Sequence, residues 1–194
     1  GKVMNVKDTT LKKINENEEI TALKKIIGLE VGKKYENVDD LRYGKVMILT
    51  DADSDGSHIK GLMFNLFHTL WPSLMEINFL TSMLTPIVKV TKGKISNSFY
   101  NLLDYEKWKE DITNEKSWNI KYYKGLGTST NVEAKEYFKN MKTLQYDWDK
   151  EKSNESIELA FNKKRADDRK EWLYNYDKNS IIDFNTEESN TNIE

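Results

Sequence analysis

The sequence predicts an α/β domain, on three observations. Residues 45–50, Lys-Val-Met-Ile-Leu-Thr, form a short continuous apolar run between Gly44 and Asp51, the pattern of a strand buried in a parallel sheet. From Gly56 onward, Ile59, Leu62, Met63, Leu66, Phe67, Leu70 and Leu74 fall on one stripe at helical spacing. Between the two lies a tight polar turn, so the order is strand, turn and long amphipathic helix, the first half of a βαβ unit. A chain of 194 residues is enough for one such domain with appendages.

The other elements follow from local patterns. Residues 8–29 read as helical in two pieces, with Leu11, Ile14, Ile20, Leu23, Ile26 and Ile27 on the apolar face and Gly28 as the stop. Pro72 is expected to kink the long helix. Residues 84–90 and 94–99 flank Thr91-Lys92-Gly93, which predicts a β-hairpin. Residues 104–112 read as a short helix opened by an acidic N-cap. Trp118, Ile120 and Tyr122 alternate with Asn119, Lys121 and Tyr123, the period of a half-buried strand. After Gly125-Leu126-Gly127, the run Thr130-Asn131-Val132-Glu133 has capping-box spacing and starts a helix to about Met141. Residues 154–176 read as helix with a break near Asn162.

Composition excludes several classes. The chain is 38% hydrophobic and carries five Trp, seven Phe and ten Tyr, so wholesale disorder is excluded. With no Cys there is no disulfide framework, thiolate zinc, iron–sulfur chemistry or cysteine nucleophile, and an intracellular compartment fits. The most apolar stretch, 59–84, is interrupted by Asn65, His68, Pro72, Glu76 and Asn78, short of the roughly 18 unbroken apolar residues of a membrane span. Net charge is −2, but residues 177–194 contribute −4 and leave +2 on residues 1–176. That acidic, Asn- and Ser-rich tail has little to bury and is expected to be disordered. Residues 1–6 show neither an initiator Met nor a signal-peptide pattern, so the chain is expected to be a piece of something longer.

The chemically loaded segment is Asp51-Ala52-Asp53-Ser54-Asp55-Gly56-Ser57-His58, directly after the predicted strand. In an extended chain, carboxylates at i, i+2 and i+4 project to one side and repel, and a hard divalent cation relieves that repulsion. Oxygen ligands suit Mg²⁺ or Ca²⁺ rather than zinc or copper. An EF-hand loop fails, since position 12 is Leu62, position 8 is His58 and the preceding element is a strand. Two readings stay open. One is a polar turn with Asp55 or Ser57 capping the next helix. The other is a Mg²⁺ site for phosphoryl chemistry, with Asp51 and Asp53 as ligands and Asp55 peripheral.

Here the residues resemble a family. Thr50 to Leu62 is similar to the Asp-x-Asp motif of the TOPRIM domain in type IIA DNA topoisomerases, and Gly1-Lys2-Val3-Met4-Asn5-Val6 resembles the segment upstream of it. Tyr122-Tyr123-Lys124-Gly125-Leu126-Gly127-Thr128-Ser129-Thr130, with Glu133-Ala134-Lys135-Glu136-Tyr137-Phe138, resembles the downstream signature of the eukaryotic topoisomerase II branch. Residues 160–173 match that branch too, and the matches run in family order from residue 1 to about 174.

The resemblance implies a Rossmann-like parallel sheet flanked by helices, with a β-hairpin insertion and a helical C-terminal extension. It divides the chain into a TOPRIM domain over 1–150 lacking its Glu-bearing first strand, a helical extension over 151–176 toward the DNA-binding core, and the acidic tail 177–194. It implies Mg²⁺ as cofactor, with Mn²⁺ or Ca²⁺ able to substitute in binding, and ATP used only by the full-length enzyme. Partners would be double-stranded DNA and, in the full-length enzyme, a second copy, with no membrane and a nuclear location. Asp51 and Asp53 would hold the metal. Lys2, Asn5, Arg169 and Lys170 would contact DNA, and His58, Lys124, Gly125 and Gly127 would wall the active site. The family's catalytic Glu and nucleophilic Tyr match no residue here, so these residues alone are expected to cleave no DNA and to hold Mg²⁺ only at about millimolar strength. Another TOPRIM nuclease or primase is the alternative enzyme, and a non-catalytic Ca²⁺ module is the alternative of a different class.

Overall fold

The computed structural model describes residues 2–177 and 188–192. Two helices open the chain, α1 (Leu11–Asn15) and α2 (Glu18–Ile27), capped by Thr10 and Asn17. Asp8, expected inside the first helix, instead has φ 59° and belongs to the preceding turn. Gly28 ends α2 in the left-handed conformation, φ 89°, which a Cβ would strain.

The strand β1 (Val46–Ile48) leads into α3 (Ser54–Leu70). Trp71 then leaves helical geometry, and α4 (Pro72–Glu76) begins with the proline at its first position, where no N–H is needed. The expected kink is therefore a break between two helices. Next comes β2 (Leu80–Met83), all four residues buried, hydrogen-bonded in parallel to β1 with Val46 opposite Leu80.

The chain then leaves this sheet to build a second one. There β3 (Val88–Lys92) pairs antiparallel with β4 (Ile95–Phe99) across a turn containing Gly93 at φ 60°. After α5 (Leu102–Asp111), β5 (Asn119–Tyr122) pairs with the other edge of β3, giving the order β4-β3-β5. The cap of α5 is Asn101, whose side chain accepts from the Asp104 N–H, so Asp104 lies in the first turn rather than at the cap. Val88, Val90 and Tyr105 form a small separate core with Phe99, Trp108 and Trp118 packed against it.

Helix α6 (Asn131–Lys139) returns the chain to the first sheet through β6 (Thr143–Asp147), antiparallel to β2. Helices α7 (Lys150–Phe161) and α8 (Ala166–Tyr174) follow, separated at Asn162. Finally β7 (Glu188–Asn192) pairs in parallel with β6, so the first sheet has the order β1-β2-β6-β7.

Two expectations need correction. The sheet is mixed rather than parallel, because β6 re-enters from the second sheet and runs against β2. Helix α7 packs on the main core, with Ile157 buried among Phe67, Trp71, Leu74 and Phe79, and His68 of α3 bonds Asn154 of α7 at 2.7 Å. Of the tail expected to be disordered, residues 178–187 and 193–194 lie outside the described residues, while 188–192 form a strand. Edge pairing uses main-chain groups, so a polar segment with little to bury can still join a ladder.

The main core is heavily aromatic. Phe67, Trp71 and Phe79 are wholly buried, with ring centroids 5.4 Å and 5.9 Å from Phe67, and truncation of one such residue to Ala costs about 3–5 kcal/mol. The Trp71 indole N–H donates to the Glu30 carbonyl, which ties the loop after α2 to α3.

Candidate functional site

The acidic segment occupies the end of β1 and the first turn of α3, where the carboxylates part company. The chain is not extended across it. Asp53 is the N-cap of α3, its Oδ1 accepting from the Gly56 N–H at 2.8 Å, and helix starts at Ser54. That places Asp55 within the helix, facing Lys2 rather than the other two acids. Lys2 Nζ lies 2.6 Å from Asp55 Oδ1 and 3.3 Å from His58 Nδ1. The hydrogen bond from Lys2, reinforced by its charge, holds the Asp55 carboxyl below its ordinary range. Asp53 thus takes the capping role that the sequence offered to Asp55 or Ser57. Asp55 has an ammonium partner of its own in Lys2.

Asp51 is held from across the molecule. The Leu126 N–H, 75 residues away in sequence, donates to Asp51 Oδ1 at 2.7 Å. A Cβ on Gly125 would lie 2.6 Å from Asp51 Oδ2 and 2.7 Å from both Cγ and Oδ1. Gly125 has φ −173°, which any residue adopts, so glycine is required there for space. A Cβ on Gly56 would in turn meet the Asp51 carbonyl oxygen at 1.9 Å. Both glycines exist to let backbone and carboxylate approach. Gly127 differs, with nothing within 4 Å of its would-be Cβ, and Lys124 is exposed. Of the four expected wall residues, Gly125 is against the acid, His58 is one turn along α3 beside Lys2, and Lys124 and Gly127 flank the turn.

The donor set fits a hard divalent cation. Asp51 and Asp53 each have Oδ1 fixed by one backbone N–H, and among the described residues neither has a Lys or Arg partner. Two backbone-fixed carboxylates with no protein cation are suited to Mg²⁺, which takes one or two carboxylates and keeps several waters. Among the described residues no three His, Asp or Glu side chains converge as a metal group.

Glu133, whose signal in the sequence is that of a helix cap, bonds residues on both sides of the turn that brings Gly125 and Leu126 to Asp51. Glu133 completes the capping box with Thr130, accepting from its N–H at 2.7 Å and its hydroxyl at 2.9 Å. It also accepts from Lys121 Nζ at 2.7 Å and from the Tyr123 hydroxyl at 2.5 Å. Burial by itself would raise the Glu133 pKa, but the donors from Lys121, Thr130 and Tyr123 outweigh it and bring it to about 2. The Tyr123 hydroxyl is pushed far above its usual range, by burial first and then by its bond to Glu133. Phe161 also escaped the sequence reading. Its ring stacks on His58 with centroids 6.5 Å apart and fills the space that a Cβ on Gly61 would need, at 2.9 Å.

The residues expected to contact DNA divide into two kinds. Asn5 and Arg169 are built into the fold. Asn5 donates to the Phe161 carbonyl and accepts from the Asn65 amide and the Lys7 N–H. Arg169 Nη1 donates to the Leu159 and Asn162 carbonyls, capping the end of α7. Lys2 and Lys170 are exposed, paired with Asp55 and Asp167, and so present exchangeable charges. Arg165 bridges Glu155 and Asp168.

Comparison with known proteins gives the family. The family described as the C-terminal associated domain of TOPRIM matches residues 83–194. DNA topoisomerase 2-alpha of Homo sapiens is 52% identical over 181 residues, and DNA topoisomerase 2 of Bombyx mori is 53% identical over 181 residues. In both, the aligned part covers 91% of this chain but 12% of the relative, so the chain spans about an eighth of the length of these proteins. A solved structure of the Plasmodium falciparum topoisomerase II DNA-binding, cleavage and re-ligation domain superposes with a TM-score of 0.90 at 46% identity, covering 98% of this chain and 26% of that one.

Proposed function

The chain belongs to the type II DNA topoisomerase family, within the part described as TOPRIM-associated, and on that premise we propose that it is the Mg²⁺-holding portion of an enzyme that cleaves and reseals double-stranded DNA. The observation that carries this reading is the convergence of two signature segments on one carboxylate: Asp51 at the end of β1 receives the Leu126 N–H and packs against Gly125. A turn of simple structural purpose has no need to bring an acid and a Gly-Leu-Gly segment together. Asp51 and Asp53 would hold the metal, which when bound supplies neutralisation of charge developing on phosphodiester oxygens.

The chain's own residues do the rest. The Leu126 and Gly56 N–H groups fix the orientation of the two carboxylates before any ion arrives, so binding does not require them to be ordered. In the absence of DNA, the Lys2–Asp55 pair keeps the third acid engaged outside the site. Lys2 and Lys170 exchange their carboxylate partners for DNA phosphates, contacts that position a duplex without reading its sequence. ATP use, assembly as a homodimer and a nuclear location belong to the whole enzyme in this reading. The 194 residues by themselves are inactive in cleavage, since none of them matches the catalytic Glu or Tyr that the family resemblance implies. No helix among the described residues is long and apolar enough to cross a membrane.

The test is a calorimetric Mg²⁺ titration of the chain and of Asp51→Asn and Asp53→Asn. Either substitution is expected to weaken binding tenfold or more with the thermal melt retained. Mg²⁺ affinity indifferent to both substitutions overturns the assignment.

A further inference from the structure

The segment 124–129 presents Leu126 to Asp51, yet little in the segment itself explains why it stays there. Lys124, Leu126, Gly127 and Thr128 are exposed. The internal bonds are Thr128 N–H to Gly125 carbonyl and Ser129 N–H to Leu126 carbonyl, which shape a single 3₁₀ turn without fixing its place. One hydrogen bond to a carboxylate recovers less than the backbone entropy of ordering six residues. The order must come from the ends.

Both ends are held by the same carboxylate. Glu133 Oε1 accepts from Tyr123, the residue before the segment, and Oε2 accepts from the N–H and hydroxyl of Thr130, the residue after it. Lys121 adds a third anchoring residue from β5. The Glu133 side chain is 14% exposed and Tyr123 is 7% exposed, so the Tyr123 bond is largely shielded from water, whereas the Thr130 bonds lie at the surface. Tyr123 is also tied to the second sheet through its N–H, which donates to the Ile87 carbonyl. A capping box needs only the Thr130 contacts. The Tyr123 and Lys121 contacts go beyond it and pin the entry of the segment to its exit.

We propose that Glu133 is a positioning residue for Asp51: by fastening Tyr123 to Thr130 it holds the Leu126 N–H on the Asp51 carboxylate, and thereby sets the geometry of the divalent-cation site. The metal clause rests on the function proposed above, whereas the Glu133–Leu126–Asp51 relay stands on the hydrogen bonds alone. Residues that orient ligands in this way typically alter metal affinity about 10- to 100-fold when changed.

The experiment uses the whole chain and two readouts. Amide hydrogen exchange of Leu126 is followed by NMR without metal, and Mn²⁺ affinity is measured by electron paramagnetic resonance. The variants are Glu133→Gln, Leu126→Pro and the pair combined. Leu126 opens the 3₁₀ turn, where proline geometry fits, and Gly125 before it is extended, so Leu126→Pro keeps the turn while removing the N–H and placing Cδ where Asp51 Oδ1 sat, which breaks the Leu126–Asp51 contact outright. Glu133→Gln is expected to speed Leu126 exchange at least tenfold while amides in α3 keep their protection, and to weaken Mn²⁺ at least fivefold. Leu126→Pro is expected to weaken Mn²⁺ to a similar degree, with the double variant no worse than Leu126→Pro within twofold. Unchanged Leu126 exchange in Glu133→Gln, or losses that multiply in the double variant, overturn the relay. Absence of Mn²⁺ binding by the unsubstituted chain overturns the metal assignment instead, and the exchange data still decide the relay.

Discussion

Gly125→Ala isolates the steric part of the site. The backbone at Gly125, φ −173° and ψ 179°, accepts alanine, so the cost lies in the new methyl against Asp51. At 2.6 Å from Oδ2, it must be separated by a further 0.4 Å to reach 3.0 Å, a distance real Cβ contacts seldom go below, and by 0.8 Å to reach ordinary contact at 3.4 Å. Metal–ligand distances tolerate only about ±0.2 Å, so a retreat of either size leaves Asp51 misplaced for Mg²⁺. The same movement stretches the 2.7 Å bond from Leu126. A loss of about 10- to 100-fold in Mg²⁺ affinity, or roughly 1.4–2.8 kcal/mol, is the expected result. Gly127→Ala is the internal control, because its methyl meets nothing within 4 Å. Calorimetric titration of both variants, with melting temperature recorded for each, checks the argument. Equal affinities for the two variants, or wild-type affinity in Gly125→Ala with its fold intact, would refute it.

Two further expectations concern charge. Burial holds the His68 pKa below its ordinary value, outweighing the Asn154 hydrogen bond and nearby Glu158, with Lys7 adding to the depression. The unfolded chain therefore takes up this proton at a higher pH than the folded one. Stability from His68 is present above about pH 6.5 and is lost as pH falls below it, by up to roughly 1.4 kcal/mol per pH unit. Urea midpoints measured at pH 7.5 and 5.5 should fall less in His68→Gln than in the unsubstituted chain, and an identical fall would remove His68 from the account. Arg169 and Lys170, adjacent in sequence, should separate by assay. Arg169→Ala, which strips two carbonyls of their donor, is expected to cost about 1–3 kcal/mol of stability. Lys170→Ala should leave the melting temperature alone and reduce the salt dependence of DNA binding by about one phosphate contact. Reversal of those two patterns would show that Arg169, not Lys170, faces the nucleic acid.

Much of the architecture was legible because local signals were strong and uncontested. The stripe from Ile59 to Leu70 made α3, Gly28 stopped α2, and Thr130 with Glu133 made the capping box that starts α6. Strands β2 and β6 were not visible. Leu80–Met83, Leu-Thr-Ser-Met, is buried at all four positions although its two central residues are polar, so it shows neither alternation nor a continuous apolar run, and Thr143–Asp147 mixes polar and apolar residues because it is only partly buried. For the site, the acids and the Gly-Leu-Gly segment could be read as motifs. Which acid would cap the helix could not, since that depended on where α3 begins. Nor could the second use of Glu133, because capping-box spacing reports only its bond to Thr130 and says nothing about Lys121 or Tyr123 arriving from β5.

The placement of the site explains why so much of it is held by backbone groups. Asp51 leaves the first sheet at the end of β1, whereas Gly125 and Leu126 leave the second sheet at the end of β5, and the two sheets have separate hydrophobic cores. The bond from Leu126 to Asp51 thus links segments that leave two different sheets. By linkage, a cation that binds the Asp51–Asp53 pair better when that bond is made would stabilise the bond by the same factor by which the bond improves its binding. If Asp55 lacked its ammonium partner, a third negative charge would stand beside the pair, strengthening attraction for any cation while increasing repulsion in its absence. With Asp55 neutralised internally, the metal-free arrangement has only two carboxylates to tolerate, each already held by a backbone N–H. On the proposed function, pre-arrangement without an ion and weak, exchangeable binding of one would therefore have the same structural origin.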